Sequence, residues 1–448
     1  MSALATTRSL PLRWSAALTA LLLLAPAGVL LRWPRPRAEG LERLLAQSAL
    51  LQSFPAAPQR PVPALWTQRL GAPLARSVWR RQSRVWWQFW GRDGDGGAFL
   101  AFPAQDLPAA STAEPAHALR VDDLVVVAPD PLSQRLLQDQ LKLAQRQRRG
   151  LEQRCLQRLQ QEQAVFWAPL GLGVMAGPMA PLLQRFQEGC LSLRLQGTSL
   201  QLSGEASAAG GFLADPVSSP SAPVPGPLAN DLLLEWRGPA LEGLLQGLLN
   251  RQLIRDPLAA RYGLGEGQLA LVRRAPFLLQ LRSLAQGPFQ AGLALQLEVT
   301  GDRRPWNRLL DGLKAPLEAQ GLVATAGGST ALPALRWRRE DGQVVGGWRW
   351  VLPKAAAPQL LVYLGPEPST STAAISPLQG GGRDTQLRVR PAALAAAGLL
   401  PPELPLLVQQ ASQLSLVATS SAAGKRVLAS PLSQLTGTLQ LQPRPPAR

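Results

Sequence analysis

The chain has 448 residues, long enough to bury a sizeable core and to form two or more domains. Hydrophobic residues make up 46% and charged residues 17%, which argues against a disordered chain. The net charge is +17, nearly all of it from arginine, with lysine only at positions 142, 314, 354 and 425. Guanidinium forks suit phosphates and carboxylates, so this charge admits anionic membranes, nucleic acid or acidic polymers as partners. The arginines are spread along the chain, however, as the compositional bias of a GC-rich genome also produces.

The first element is Ser15–Leu31, an uncharged run of 17 residues. It sits at the short end of what crosses a bilayer as a helix, and Arg13, Trp14, Arg32 and Trp33 flank it as headgroup anchors do. The expectation is one N-terminal transmembrane anchor. The competing readings are a cleaved signal peptide with Ala25-Pro26-Ala27 as its site, and a buried core helix, which Pro26 and the all-round apolar character disfavour. The chain has no second long apolar run, which argues against a multi-pass transporter or channel. The count of flanking arginines favours a cytoplasmic body, whereas a basic start before an apolar run normally exports the rest of the chain. Export is preferred here.

Residues 34–75 read as an amphipathic helix, LERLLAQSALLQSF, followed by the Pro-rich linker PAAPQRPVP. Ser48 breaks the apolar stripe. Residues 84–102 read as a β-hairpin, with Val85, Trp87 and Phe89 on one strand face, Trp86 and Trp90 on the other, and Ala98–Phe102 returning. Arg76, Arg80, Arg81 and Arg84, interleaved with Trp86, Trp87 and Trp90, are the candidate contacts for an anionic surface or nucleic acid. A strand buried on both faces is the preferred reading of the same residues, and nucleic acid is disfavoured as a partner.

Asp123–Ala128 reads as a buried strand, and Asp130-Pro131 as the N-cap and first residue of a basic helix that Gly150 interrupts. Leu191–Gly204 makes two short strands, and the Gly/Ser/Pro-rich stretch 205–230 is the best domain boundary. Beyond it come a strand at Asp231–Trp236, a helix from Pro239 and a shorter one capped by Asp256-Pro257. Strands are expected at Gln268–Val272, Phe277–Leu281 and Gly292–Val299, then a helix at Pro305–Gln320 stopped by Gly321. Leu335–Arg339, Val344–Val351, Gln359–Leu364, Gln386–Arg390, Leu414–Thr419, Arg426–Ala429 and Gly437–Gln442 complete the strands, with a helix in PAALAAAGLL. The domains expected are 1–33, anchor; 34–75, helix and linker; 76–204, a first α+β domain; 205–230, linker; and 231–448, a second.

Cys155 and Cys190 are the only cysteines and make at most one disulfide, formed if the body is exported. His117, the only histidine, lies in a polar loop without motif support. No cofactor or metal motif is present; the glycines at 171–177 have the wrong spacing for a dinucleotide loop, and DGDG at 93–96 lacks the acidic positions of a calcium loop.

LVVVAPDPLSQRLL, LLLEWRGPALEGLL and QLRVRPAALAAAGLL share one grammar: apolar strand, brief connection, proline, apolar-periodic helix. The fold class expected from this is α+β, with repeated β-α-β-β units, antiparallel sheets and helices on one face, behind the N-terminal transmembrane helix. On Val127-Ala-Pro-Asp-Pro131 and the returning strand Ala98–Phe102, the chain resembles a family of N-terminally anchored cyanobacterial proteins built around a domain of unknown function. The resemblance spans residues 80–440 loosely and implies location and architecture, not chemistry. Three functions stand as expectations: a membrane-anchored, non-enzymatic envelope protein binding a protein, lipid or polymer; an anionic-surface or nucleic-acid binder using the Arg/Trp region; and a hydrolase built on carboxylates such as Asp122/Asp123 or Glu340/Asp341.

Overall fold

A computed structural model describes residues 37–92, 97–108, 115–143, 150–208, 226–249, 251–284, 289–353, 357–368, 384–400, 411–420 and 432–441. Ser15–Leu31 and Arg426–Ala429 lie outside these residues. Among the described residues, no helix is long and apolar enough to cross a membrane.

The local signals are obeyed where the backbone has a reason to obey them. Helix α1, Leu41–Gln47, ends at Ser48, whose hydroxyl donates to the Leu44 carbonyl at 2.7 Å. The chain then extends as β1, Ser48–Phe54, so half of the expected amphipathic helix is a strand. Short apolar runs are ambiguous in period, and pairing with neighbouring strands decides this one. Helices α2, Ala64–Leu70, and α3, Ala72–Arg81, lead to β2, Trp86–Gly91, and its hairpin partner β3, Phe99–Pro103. After β4, Ala118–Val121, and β5, Leu124–Val127, comes α4, Pro131–Lys142, capped by Asp130, which accepts from the Ser133 amide at 2.9 Å. Helix α5, Leu151–Gln161, starts after Gly150, whose φ of 82° suits glycine. β6, Ala164–Trp167, α6, Pro169–Ala176, β7, Glu188–Gln196, and β8, Ser199–Ser207, close the first part.

The second part runs β9, Leu232–Gly238, then α7, Glu242–Leu249, α8, Gln252–Tyr262, and α9, Glu266–Arg273. Two expectations fail here. Pro257 lies inside α8 instead of opening a helix, and Gln268–Val272 belongs to α9 instead of a strand. β10, Phe277–Ser283, β11, Ala291–Glu298, and helices α10, Arg304–Gly312, and α11, Lys314–Glu318, come after it. Next are β12, Val323–Gly328, β13, Pro333–Arg338, β14, Val344–Val351, and β15, Gln359–Leu364. β16, Asp384–Val389, α12, Pro391–Ala396, β17, Ala411–Ser420, and β18, Leu432–Leu441, end the described chain.

The expected fold class is corrected by the way these strands pair. The strand-to-helix steps exist, but they do not build separate repeated units. The 18 strands among the described residues join one antiparallel sheet in the order β4-β5-β3-β2-β1-β6-β7-β8-β18-β17-β16-β9-β10-β11-β15-β14-β13-β12. The last three strands of the chain form the middle of this order, β18 pairing with β8 and β16 with β9.

Helices also cover both faces, not one. One face carries Leu51, Trp87, Phe89, Ala101, Val126, Phe166 and Cys190 beneath α1, α4 and α5. The opposite face carries Trp86, Leu100, Phe102, Val125 and Val127 beneath Trp66 and Leu70 of α2 and Val78 and Trp79 of α3. β2, β3 and β5 have apolar residues at both parities, so both faces need a cover. The second face stays apolar to the far side of the sheet, where Trp236, Phe277, Leu297, Trp350 and Leu360 pack with Leu244 of α7 and Trp306 and Leu310 of α10.

Cys155 of α5 and Cys190 of β7 form a disulfide across 35 residues, fully buried, tying the helix layer to the sheet. By the loop-entropy relation such a link contributes about 3–4 kcal/mol. The paired variant Cys155→Ala/Cys190→Ala is expected to lower the chemical-denaturation midpoint accordingly, and reductant is expected to shift the wild-type midpoint and leave the variant's unchanged.

Candidate functional site

The covered part of the first face ends at β7. Its edge is marked by Glu205 of β8, which pairs with Arg154 and Arg158 of α5 at 3.3 and 3.8 Å. From there outward the same face turns polar. Register places Arg194, Gln201, Thr438, Ser415, Arg388, Glu235, Gln280, Ala294, Tyr363, Gly347, Arg336 and Thr325 in one row across twelve successive strands. Ala294 and Gly347 interrupt its polarity, Ala294 packs with Val351 and Leu361 of the same face in a small buried apolar cluster, and Ser415, Glu235 and Tyr363 are buried as well; the alternate residues of these strands belong to the apolar face.

Charges on this surface are organised around acceptors. Glu235, 7% exposed, takes Arg388 at 3.4 Å, Arg237, and the Gln280 amide at 3.2 Å. Arg282 pairs with Asp231. Glu367 holds Arg336 and Arg349, and Tyr363 lies in the same group. Burial raises the Tyr363 phenol above its ordinary value, with Glu367 adding to the effect.

Within this face lies a cleft of about 430 Å³. Its floor is Ser412, Gln413 and Ser415 of β17 with Thr438 and Gln440 of β18; its wall is Pro227, Leu228 and Asn230, and Arg390 stands at its end. Two arginines brace the wall across the sheet. Arg388 donates to the Gly226 carbonyl at 2.7 Å, and Arg390 donates to the Asn230 carbonyl. Gln413 accepts from the Leu228 amide at 3.2 Å and donates to the Ser415 hydroxyl at 3.1 Å. The lining therefore combines hydroxyls, carboxamides, one guanidinium and an apolar wall. Such groups hydrogen-bond a hydroxyl-rich ligand and pair with an anionic substituent on it.

The residues singled out from sequence sit elsewhere and do not converge. Arg76, Arg80 and Arg81 on α3, and Arg84 after it, are exposed. Trp86 and Trp87 are buried on opposite faces of β2, and Trp90 is half-buried. Trp86 stacks on Phe54 at 4.4 Å between ring centres, and the Trp87 indole donates to the Leu159 carbonyl at 2.9 Å. The acidic pairs have local duties: Asp122 accepts from the Gly40 amide at 2.6 Å and pairs with Arg43, and Asp341 accepts from the Gln343 amide in its turn. His117 occupies the turn before β4 with φ 61°.

Sequence reading missed the polar face. Its trace was there in SQLSLVAT, SQLTGTLQL and TSLQLSGE, where Ser, Thr and Gln alternate with leucine, but nothing local says that these three runs lie side by side. No family model, no curated protein and no solved structure matches the chain.

Asp106, in the 3-10 turn Ala104–Asp106 that follows β3, is 3% exposed, and its Oδ2 has no hydrogen-bond partner among the described residues. Burial raises its carboxyl above the ordinary range, outweighing the attraction of Arg84. A carboxyl raised on folding is bound more tightly as the neutral acid. This carboxyl's contribution to stability is therefore fully present below the unfolded value, about 3.9, and is lost as pH climbs through the folded one. Asp106→Asn is expected to raise the thermal midpoint at pH 7 and to leave it unchanged at pH 3; a lower midpoint at pH 7 would mean that the Arg84 pairing dominates.

Proposed function

We propose that this protein is a membrane-tethered, non-enzymatic envelope protein whose polar sheet face binds an anionic, hydroxyl-rich polymer. The observation that carries the reading is the row of polar side chains across twelve strands, with the arginine-braced cleft set in it. The exposed Arg194, Gln201, Arg336 and Thr325, with the half-buried Thr438, Arg388 and Gln280 and the cleft between them, suit an extended ligand contacted at several points, and hydroxyls and amides among them suit sugar hydroxyls. The net charge of +17 favours an anionic partner. The tether is the apolar segment Ser15–Leu31, and the Cys155–Cys190 disulfide accords with a body on the exported, oxidising side. Arg76, Arg80, Arg81 and Arg84 are also exposed and add to the positive charge of the body.

The test uses the full chain in detergent, titrated with dextran sulfate and with uncharged dextran. Dextran sulfate is expected to bind, with affinity falling as salt rises from about 50 to about 300 mM. Arg390→Ala is expected to weaken binding about tenfold, the worth of one charge-assisted hydrogen bond. Equal binding of both polymers, or an Arg390→Ala variant that binds as the wild type, rejects the reading. Carbonate-resistant membrane fractionation, with the body cleaved by protease added from the outer side, is the outcome expected for the tether; intact protein in the soluble fraction argues against it.

A further inference from the structure

An open sheet leaves two edges, and among the described residues they are β4 and β12. β4 is guarded: it has four residues, carries Arg120, and is bounded by the positive-φ residues His117 and Asp122. β12 is not. Its sequence, VATAGG, has neither charge nor proline, five of its six residues are exposed, and among the described residues it pairs only with β13. Soluble proteins blunt such edges with charge, proline or a bulge, and an edge left bare is a template for another strand.

The hairpin fixes which backbone groups are free. Ser329 and Leu332 exchange both amide–carbonyl bonds at 3.1 Å, so they form a narrow pair. Counting back along the register, residues 327, 325 and 323 bond to β13, while Ala324 and Ala326 direct their N–H and C=O groups to the open edge. Pro333, which has no N–H to give, falls at a non-bonded position of the same ladder, opposite Gly328.

We infer that β12 pairs antiparallel with β12 of a second copy of this chain. A two-fold axis at Thr325 sets Ala324 of each copy against Ala326 of the other, two narrow pairs that each exchange two hydrogen bonds. Thr325 then meets its own counterpart in the intervening wide pair, a favourable cross-strand match. No charge on the strand opposes its own image. Arg336, the next residue in the row, is already neutralised by Glu367 at 2.6 Å. Pairing makes the two sheets continuous and doubles the polar face, a gain in avidity for an extended ligand that rests on the function proposed above; the pairing itself does not. The strand contact alone buries less than the roughly 1,000 Å² of a stable interface. The dimer is therefore weak in dilute solution and promoted by tethering two copies to one membrane.

The axis predicts a register that disulfide trapping reads directly. In the wide pair the Cα atoms stand about 4.5 Å apart, within disulfide reach. In the full chain under mild oxidation, Thr325→Cys is expected to form covalent dimers. Ala324→Cys or Ala326→Cys alone is not, because two such residues lie beyond about 7 Å across this axis, but an equimolar mixture of the two is. Ala326→Pro in the Thr325→Cys background removes a donor that the monomer does not use, and is expected to cut cross-linking at least tenfold with the thermal midpoint unchanged. Folded Thr325→Cys protein that stays monomeric overturns the inference, including when another polypeptide is trapped on the strand. So does equal cross-linking at positions 324, 325 and 326. Failure of dextran sulfate to bind, with the register-specific dimer intact, rejects the polymer reading alone.

Discussion

Everything in this molecule depends on the continuity of one backbone ladder. Because each strand accepts only antiparallel neighbours and side chains alternate with period two, the face assigned to a residue in β2 fixes the face of the residues in register with it out to β12, with local register shifts only at strand ends such as Leu281/Arg282 and Ala411/Gln413. A slip of one residue at any junction would turn the leucines of all later strands into water. The apolar face is therefore the stricter constraint, unbroken from Trp86 through Leu416 and Trp236 to Trp350, with helices packed on it along the way.

The other face is where the chain is free to vary, and it divides. Beneath α1, α4 and α5 it is as apolar as its opposite, and the Cys155–Cys190 link holds that layer down. Past β8 it carries serine, threonine, glutamine and arginine, and the charges settle around Glu235 and Glu367 instead of being scattered. Arg388 and Arg390 reach out of this surface to hold residues 226–230, turning a flat sheet into one with a cleft. Binding chemistry thus arises from the same alternation that builds the core.

Sequence and structure part company in an instructive way at the Arg/Trp region. Interleaving of arginine with tryptophan resembles a stacking surface, yet Trp86 and Trp87 are adjacent in a strand and so must face apart. Here both faces are covered, which leaves the arginines outside and the rings inside. The hairpin and the two-sided burial were legible from parity alone. At Leu41–Phe54 parity and helical period compete over too short a run, and the pairing of β1 with β2 and β6 settles it. The strand expected at Gln268–Val272 fails in the converse way: among the described residues it pairs with no strand, and it forms part of helix α9.

By itself the sequence determined the local elements: the hairpin at β2 and β3, the Asp130-Pro131 helix start, most strands, and the excess of arginine. It did so because caps, turns and alternation act over a few residues. Only the tertiary structure decided that the strands form one sheet, that β16, β17 and β18 lie between β8 and β9, and that three ordinary Ser/Thr/Gln-rich runs make one surface. Those pairings join residues far apart in the chain, as Gln201 and Thr438 are, and hydrogen bonds between backbones carry no signature of their partner in the local sequence.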